Sequence, residues 1–211
     1  MTPGPTIIRE CSACGKYIAQ PTMRSGNTFG ARFWTDGKRD SPMLPDQPLL
    51  VKCQHCGALD WIAELRQVGE VDPWGSETDD KNRFPDARPA LTPALQDYAD
   101  FLEGGVSDKQ KERYIRLQAW WVGNDPRRES EKSAQLDSFE ADNLRIFVSL
   151  LDESKDNDRV MKAEALRELG EFVGAEKLLS TDFEDGLLKA VSIIRSLNQK
   201  KVTAVAEIKF E

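Results

Sequence analysis

From residue 93 onward, apolar side chains return every three or four positions, the spacing of one helix face. Leu95, Tyr98, Ala99 and Leu102 form the first stripe. Thr92-Pro93 supplies a cap and a first helical residue, and Gly104-Gly105 ends the run. A second stripe carries Tyr114, Leu117 and Trp121, with Ile115, Ala119 and Val122 beside it. Ser107 and Gln110 have the spacing of a capping box at its start, and Pro126 closes it. A third helix is predicted over about 130–153 through Leu144, Phe147, Val148 and Leu151. A fourth covers about 158–169 and breaks at Gly170. A short fifth holds Phe172, Ala175, Leu178 and Leu179. Thr181 and Glu184 read as the box opening a sixth through Val191, Ile194 and Leu197. The tail Val202–Ile208 has the composition of a strand.

The front of the chain has another rhythm. Ile7-Ile8-Arg9, Lys16-Tyr17-Ile18, Leu49-Leu50-Val51 and Trp61-Ile62 are short β-rich pieces. Between them, Phe33-Trp34 is strand-like, and Asp36-Gly37 is a favoured hairpin turn because glycine accepts positive φ. Pro42, Pro45 and Pro48 exclude regular helix in the stretch that follows. The expected fold class is α+β, in three parts. Residues 1–68 form a small β-rich domain with an inserted hairpin. Residues 69–92 are a linker in which Pro73, Pro85 and Pro89 alternate with Asp72, Glu77, Asp79 and Asp80. Residues 93–211 form a helical domain.

Charge refines this division. Residues 1–92 are near neutral, with 11 Lys and Arg against 12 Asp and Glu, so the net charge of −7 resides almost wholly in the helical part. Binding to phosphate backbones is disfavoured there by repulsion. No apolar run reaches the length of a membrane span. Met1–Thr6 has neither a basic patch nor an apolar run, so no signal peptide is expected and a cytoplasmic location is.

The chemistry concentrates in the only four cysteines. Cys11-Ser12-Ala13-Cys14-Gly15 and Cys53-Gln54-His55-Cys56-Gly57 are each Cys-x-x-Cys with a trailing glycine. Two residues between cysteines let one turn aim both sulfurs at one ion, and Zn²⁺ accepts four thiolates at about 2.3 Å. The expectation is one structural zinc per chain held by Cys11, Cys14, Cys53 and Cys56. Two disulfides would require an oxidising compartment. A redox dithiol would require a parallel α/β unit, which the pattern lacks. His55, the sole histidine, lies between two ligands of a site that is already full.

Lys162–Leu179 resembles the middle of a tetratricopeptide repeat. Ala163, Gly170, Phe172 and Ala175 stand where that repeat uses small, turn and aromatic residues. The whole arrangement is similar to uncharacterised bacterial proteins that join a zinc ribbon to a helical, repeat-like region. The resemblance implies cytoplasmic binding or assembly and supplies no activity.

No Gly-x-x-x-x-Gly-Lys loop, Gly-x-Gly-x-x-Gly turn or His-Glu-x-x-His pair occurs. The reading is therefore a non-enzymatic module that binds a protein partner, with Phe33, Trp34, Trp120 and Trp121 as candidate contacts. The alternative is a nucleic-acid-associated zinc-ribbon regulator, which needs Arg24, Arg32, Lys38 and Arg39 on one exposed face with Phe33 or Trp34.

Overall fold

The computed structural model describes residues 1–74, 83–128 and 135–209. Glu77, Asp79 and Asp80 of the expected linker, and the expected start of the third helix, lie outside them. In chain order the strands begin with β1 (Thr2–Glu10), β2 (Tyr17–Ser25), β3 (Arg32–Trp34), β4 (Arg39–Asp40), β5 (Leu50–Lys52) and β6 (Leu59–Trp61). β7 (Gln67–Val71) and β8 (Arg88–Pro89) follow. The helices are α1 (Leu95–Glu103), α2 (Lys109–Asn124), α3 (Ser138–Ser149), α4 (Asp156–Glu168), α5 (Phe172–Leu179) and α6 (Leu188–Gln199), and β9 (Glu207–Ile208) comes last. The protein is α+β, with small sheets followed by helices. No helix among the described residues is long and apolar enough to cross a membrane.

Two compact units divide the chain. Residues 1–31 and 41–97 form one, and residues 32–40 and 98–211 the other. In the first, β1 and β2 make an antiparallel hairpin in which Ile8 opposes Ala19 and Glu10 opposes Tyr17. Alternation along β1 buries Ile8 and leaves Arg9 only partly covered, as one buried sheet face requires. β7 extends this sheet on the β1 side and β8 on the β2 side. The stretch read as linker, 69–92, thus contributes β8 and the end of β7. β5 and β6 form a second hairpin, with Val51 opposite Asp60. Cys11, Ile18, Val51, Cys53, Ile62 and Leu65 pack into one buried cluster.

In the second unit, consecutive helices are neighbours from α2 through α6, and α4 also meets α6. α4 is therefore covered on several sides. Ala163 joins the cluster of Val160, Leu178, Leu179, Val191 and Ile194. Ala165 joins that of Trp120, Leu144, Phe147 and Leu151. Alanine at these positions lets neighbouring helices approach closely. Gly170 ends α4 at φ +78°, and Glu171 N–H donates to Leu166 O at 2.8 Å while Gly170 N–H donates to Arg167 O at 3.0 Å. This pair of bonds is a Schellman stop, in which the positive φ favours glycine.

Four helix starts differ from the sequence reading: α1 begins at Leu95, so Thr92-Pro93 lies ahead of it and does not cap it, and three others differ each for a local reason. Asp108, not Ser107, caps α2, accepting from the Gln110 and Lys111 N–H groups. Asp137 caps α3 in a reciprocal box with Glu140, so that helix begins at Ser138. Thr181 opens nothing, because its hydroxyl donates back to Leu178 O at 3.0 Å. A 3₁₀ turn at Asp185–Leu187 leads into α6 instead. The strand expected in the tail is only β9, which pairs with β3. β3, β4 and β9 thus make a three-stranded sheet that belongs with the helices.

Candidate metal centre and a buried carboxyl network

Each Cys-x-x-Cys forms the turn of one hairpin in the first unit, between β1 and β2 and between β5 and β6. The two turns share one backbone pattern. Cys11 N–H donates to Lys16 O and Gly15 N–H to Cys11 O, at 2.9 and 3.0 Å. Cys53 N–H donates to Ala58 O and Gly57 N–H to Cys53 O, at 2.8 and 2.9 Å. Gly15 and Gly57 take φ of +69° and +79°, the left-handed geometry that lets the chain fold back.

The turns gather all four sulfurs. The Sγ atoms lie within 4.8 Å of one another, with Cys11–Cys56 at 3.7 Å and Cys14–Cys53 at 3.9 Å. Four thiolates about 2.3 Å from one ion in a tetrahedron stand about 3.8 Å apart, whereas a disulfide holds its sulfurs at about 2.05 Å. All four cysteines are free. Backbone N–H groups of Ala13 and Cys14 point to the Cys11 sulfur, that of Lys16 to Cys14, and that of Ala58 to Cys56. Donors aimed at sulfur favour its thiolate form, the form a metal takes. The Lys16 N–H draws the Cys14 thiol below its ordinary value. Burial pushes the Cys11 thiol up to about 12, so a metal there must displace a tightly held proton.

The surroundings brace the centre. Asp60 of β6, itself buried, accepts from the Ser12 hydroxyl and has a carboxylate oxygen 3.5 Å from Cys11 Sγ. It ties the first turn to the second hairpin. Cys11 and Cys53 sit inside the apolar cluster, while Cys14 and Cys56 are exposed. Also in this unit, an apolar cavity of about 360 Å³ is lined by Pro21, Met23, Pro45, Pro48, Val51 and Ile62.

The candidate partner-binding aromatics all fall in the second unit, and the structure places them mostly inward. Trp34 and Trp120 are each only 4 % exposed. Trp34 carries the Arg32 and Arg128 guanidiniums over its ring at 4.6 and 4.9 Å. Trp120 donates its indole N–H to Glu168 at 2.9 Å, and Trp121 donates its own to Asp36 O at 2.9 Å. Phe33 is half-buried in β3 between Arg39 of β4 and Ile208 of β9. The cations named with them are engaged by acids, Arg32 by Glu207 at 3.2 Å and Lys38 by Asp125 at 2.5 Å. Arg24 belongs to the first unit, 3.9 Å from Asp72.

Around these tryptophans lies a set of polar side chains that pattern reading misses. Asp36, the hairpin-turn residue, is fully buried. Arg128 grips it with two bonds of 3.2 and 2.7 Å. Burial opposes the charge on Arg128, but the Asp36 carboxylate more than offsets this and holds the guanidinium above its ordinary value. Asn124 donates one amide group to Asp36 at 3.0 Å and to both oxygens of Glu168 at 3.2 and 3.1 Å. Beside Glu168 on α4, Arg167 forms a bidentate pair with Glu164, one turn back, at 2.8 and 2.6 Å with no exposure on either side. Arg167 also donates to the carbonyls of Val202 and Ala204, pinning the C-terminal tail.

Glu168 differs from its neighbours in this network. Burial, with Glu164 and Asp36 nearby, raises its carboxyl from 4.5 to about 8. The folded chain therefore keeps a proton that the unfolded chain releases near its ordinary value. The resulting stability is full below about pH 4.5 and is lost as pH climbs through about 8. Urea unfolding between pH 5 and pH 9 checks this. The wild type is expected to weaken across that window, by at most about 1.4 kcal/mol per pH unit from this group. Glu168→Gln, which stays neutral and keeps an acceptor for Trp120, is expected to flatten the decline.

No protein-family model, curated protein or solved structure matches this chain. The geometry itself defines an α+β protein with four cysteines gathered closely enough to hold a metal ion.

Proposed function

We propose that this chain is a zinc-binding, non-enzymatic protein whose first unit is a zinc ribbon and whose helical unit is a tetratricopeptide-like scaffold for a protein partner. The gathering of four thiols at tetrahedral spacing carries the reading. Zn²⁺ suits an all-sulfur tetrahedron and imposes no d-electron geometry of its own. Four ligands close the site, leaving no position for the water that zinc catalysis requires. A closed site is a structural one, and its role is to hold the two hairpins together. Support for the helical half comes from its consecutive helix pairs and from the Schellman-linked α4–α5 hairpin, in which Ala163 and Ala175 are both buried. Small-residue contacts of this kind build the surfaces that repeat proteins use for binding.

Elemental analysis of protein purified without added metal is expected to give about one zinc per chain. Iron in its place, or no metal under reducing conditions, contradicts the zinc reading. The partner reading is tested by cross-linking in intact cells. One protein recovered reproducibly with the wild type, and lost when Val173 on the exposed face of α5 is made Asp, supports it. Recovery of no partner counts against it.

A further inference from the structure

The second unit contains a polar cavity of about 520 Å³, within the range of small-molecule sites. Its wall includes Asn124, Arg127, Arg145 and Glu168, with Leu136 and Val205 as apolar surface. The tail that closes one side is held there by Arg167, through the Val202 and Ala204 carbonyls. The cavity is thus built by a buried, hydrogen-bonded frame.

Charge pairing in this frame is uneven. Each cation near the cavity has its own acid: Arg127 has Glu140 at 2.6 Å, Arg128 has Asp36 at 2.7 Å, Arg145 has Asp142 at 2.9 Å and Arg167 has Glu164 at 2.6 Å. Glu168, 5 % exposed, has no cation within 4 Å among the described residues. A carboxyl this deeply buried, given only neutral donors from Trp120 and Asn124, is incomplete as a charge site. At the rim, the Arg145–Asp142 pair is exposed on both sides, so it contributes little and Arg145 can turn to another anion.

We propose that this cavity binds a small zwitterion of the free amino acid class, its ammonium group pairing with Glu168, its carboxylate with Arg145, and its apolar body against Leu136 and Val205. An ammonium ion supplies the counter-charge that Glu168 needs once its proton has left. A guanidinium fork is the natural partner for the carboxylate. Binding is linked to protons. The groups that act on Glu168 are Asp36 on the hairpin, Glu164 and Arg167 on its own helix, and Asn124 and Trp120 on α2, while Arg127 and Arg145 line the same cavity. In the free protein Glu168 keeps its proton at neutral pH, so an incoming ammonium expels it.

The test is calorimetric titration of the full chain with three matched probes: leucine, 4-methylpentanoate, which lacks the amine, and 3-methylbutylamine, which lacks the carboxylate. Leucine is expected to bind at least about tenfold more tightly than either fragment. Its affinity is expected to rise between pH 5 and pH 8, by up to about tenfold per unit, with release of about one proton near neutral pH. Glu168→Gln removes the pH dependence and most of the binding. Arg145→Ala, at an exposed position where folding is not at stake, brings leucine down to the level of 3-methylbutylamine. No binding of leucine, equal binding of leucine and a fragment, or affinity indifferent to pH over that range overturns the proposal.

Discussion

Replacing Cys56 by Ser is expected to strip the metal and unfold the first unit while the helices persist. Cys56 is exposed and lies outside the apolar cluster, so its loss removes almost no packing. Cys53→Ser is the weaker experiment, because Cys53 is fully buried and a serine hydroxyl there is costly without any metal being involved. If coordination holds the unit together, the two variants behave alike. Structural zinc in small folds contributes about 10–16 kcal/mol at neutral pH, far above the usual cost of a surface substitution. The predicted outcome is loss of zinc and of dispersed amide signals from residues 1–31 and 41–97, with the helical circular dichroism largely kept. A Cys56→Ser chain that stays folded and keeps a bound metal overturns the four-thiolate centre.

Arg167→Ala is expected to be the most damaging change in the helical unit, at about 3–5 kcal/mol. The guanidinium has no solvent exposure and answers Glu164, which has none either. Removing it leaves a buried carboxylate without a partner and frees the Val202 and Ala204 carbonyls from their donor. Arg167→Lys keeps the charge but not the fork, and is predicted to fall between Ala and wild type. Chemical denaturation with paired urea curves measures both. Hydrogen exchange in the tail is expected to rise alongside. A loss below about 1 kcal/mol for the alanine variant would mean that Glu164 is relieved by protonation or water, and that the pair is not what holds the tail.

The helical elements were legible because their information is local. Apolar spacing located α1, α2, α4, α5 and α6 to within a turn, and Gly170 marked the stop between α4 and α5. The starts of α2, α3 and α6 were less legible, since Ser, Thr and Asp compete for the same backbone donors. Asp108 stands one residue from Ser107, and only geometry decides which carboxyl or hydroxyl reaches the free N–H groups. Both cysteine turns were equally readable, since two intervening residues and a trailing glycine constrain the turn by covalent geometry alone.

The buried network followed from nothing of that kind. Asp36 in an Asp-Gly turn reads as a solvent-facing residue, and Glu164, Arg167 and Glu168 on one helix read as a solvated charged face. Sequence by itself determined which four cysteines come together, the class of fold and the course of most helices, because each is set by spacings shorter than one turn or two. Tertiary structure alone decided that residues 32–40 leave the cysteine unit to pair with β9. It alone decided that α4 is covered on several sides, and that Glu168 of that helix lines a cavity with no cation within 4 Å of it among the described residues. Burial depends on which elements come to lie around a residue, and hydrophobic period reports only which side of an element prefers to be covered.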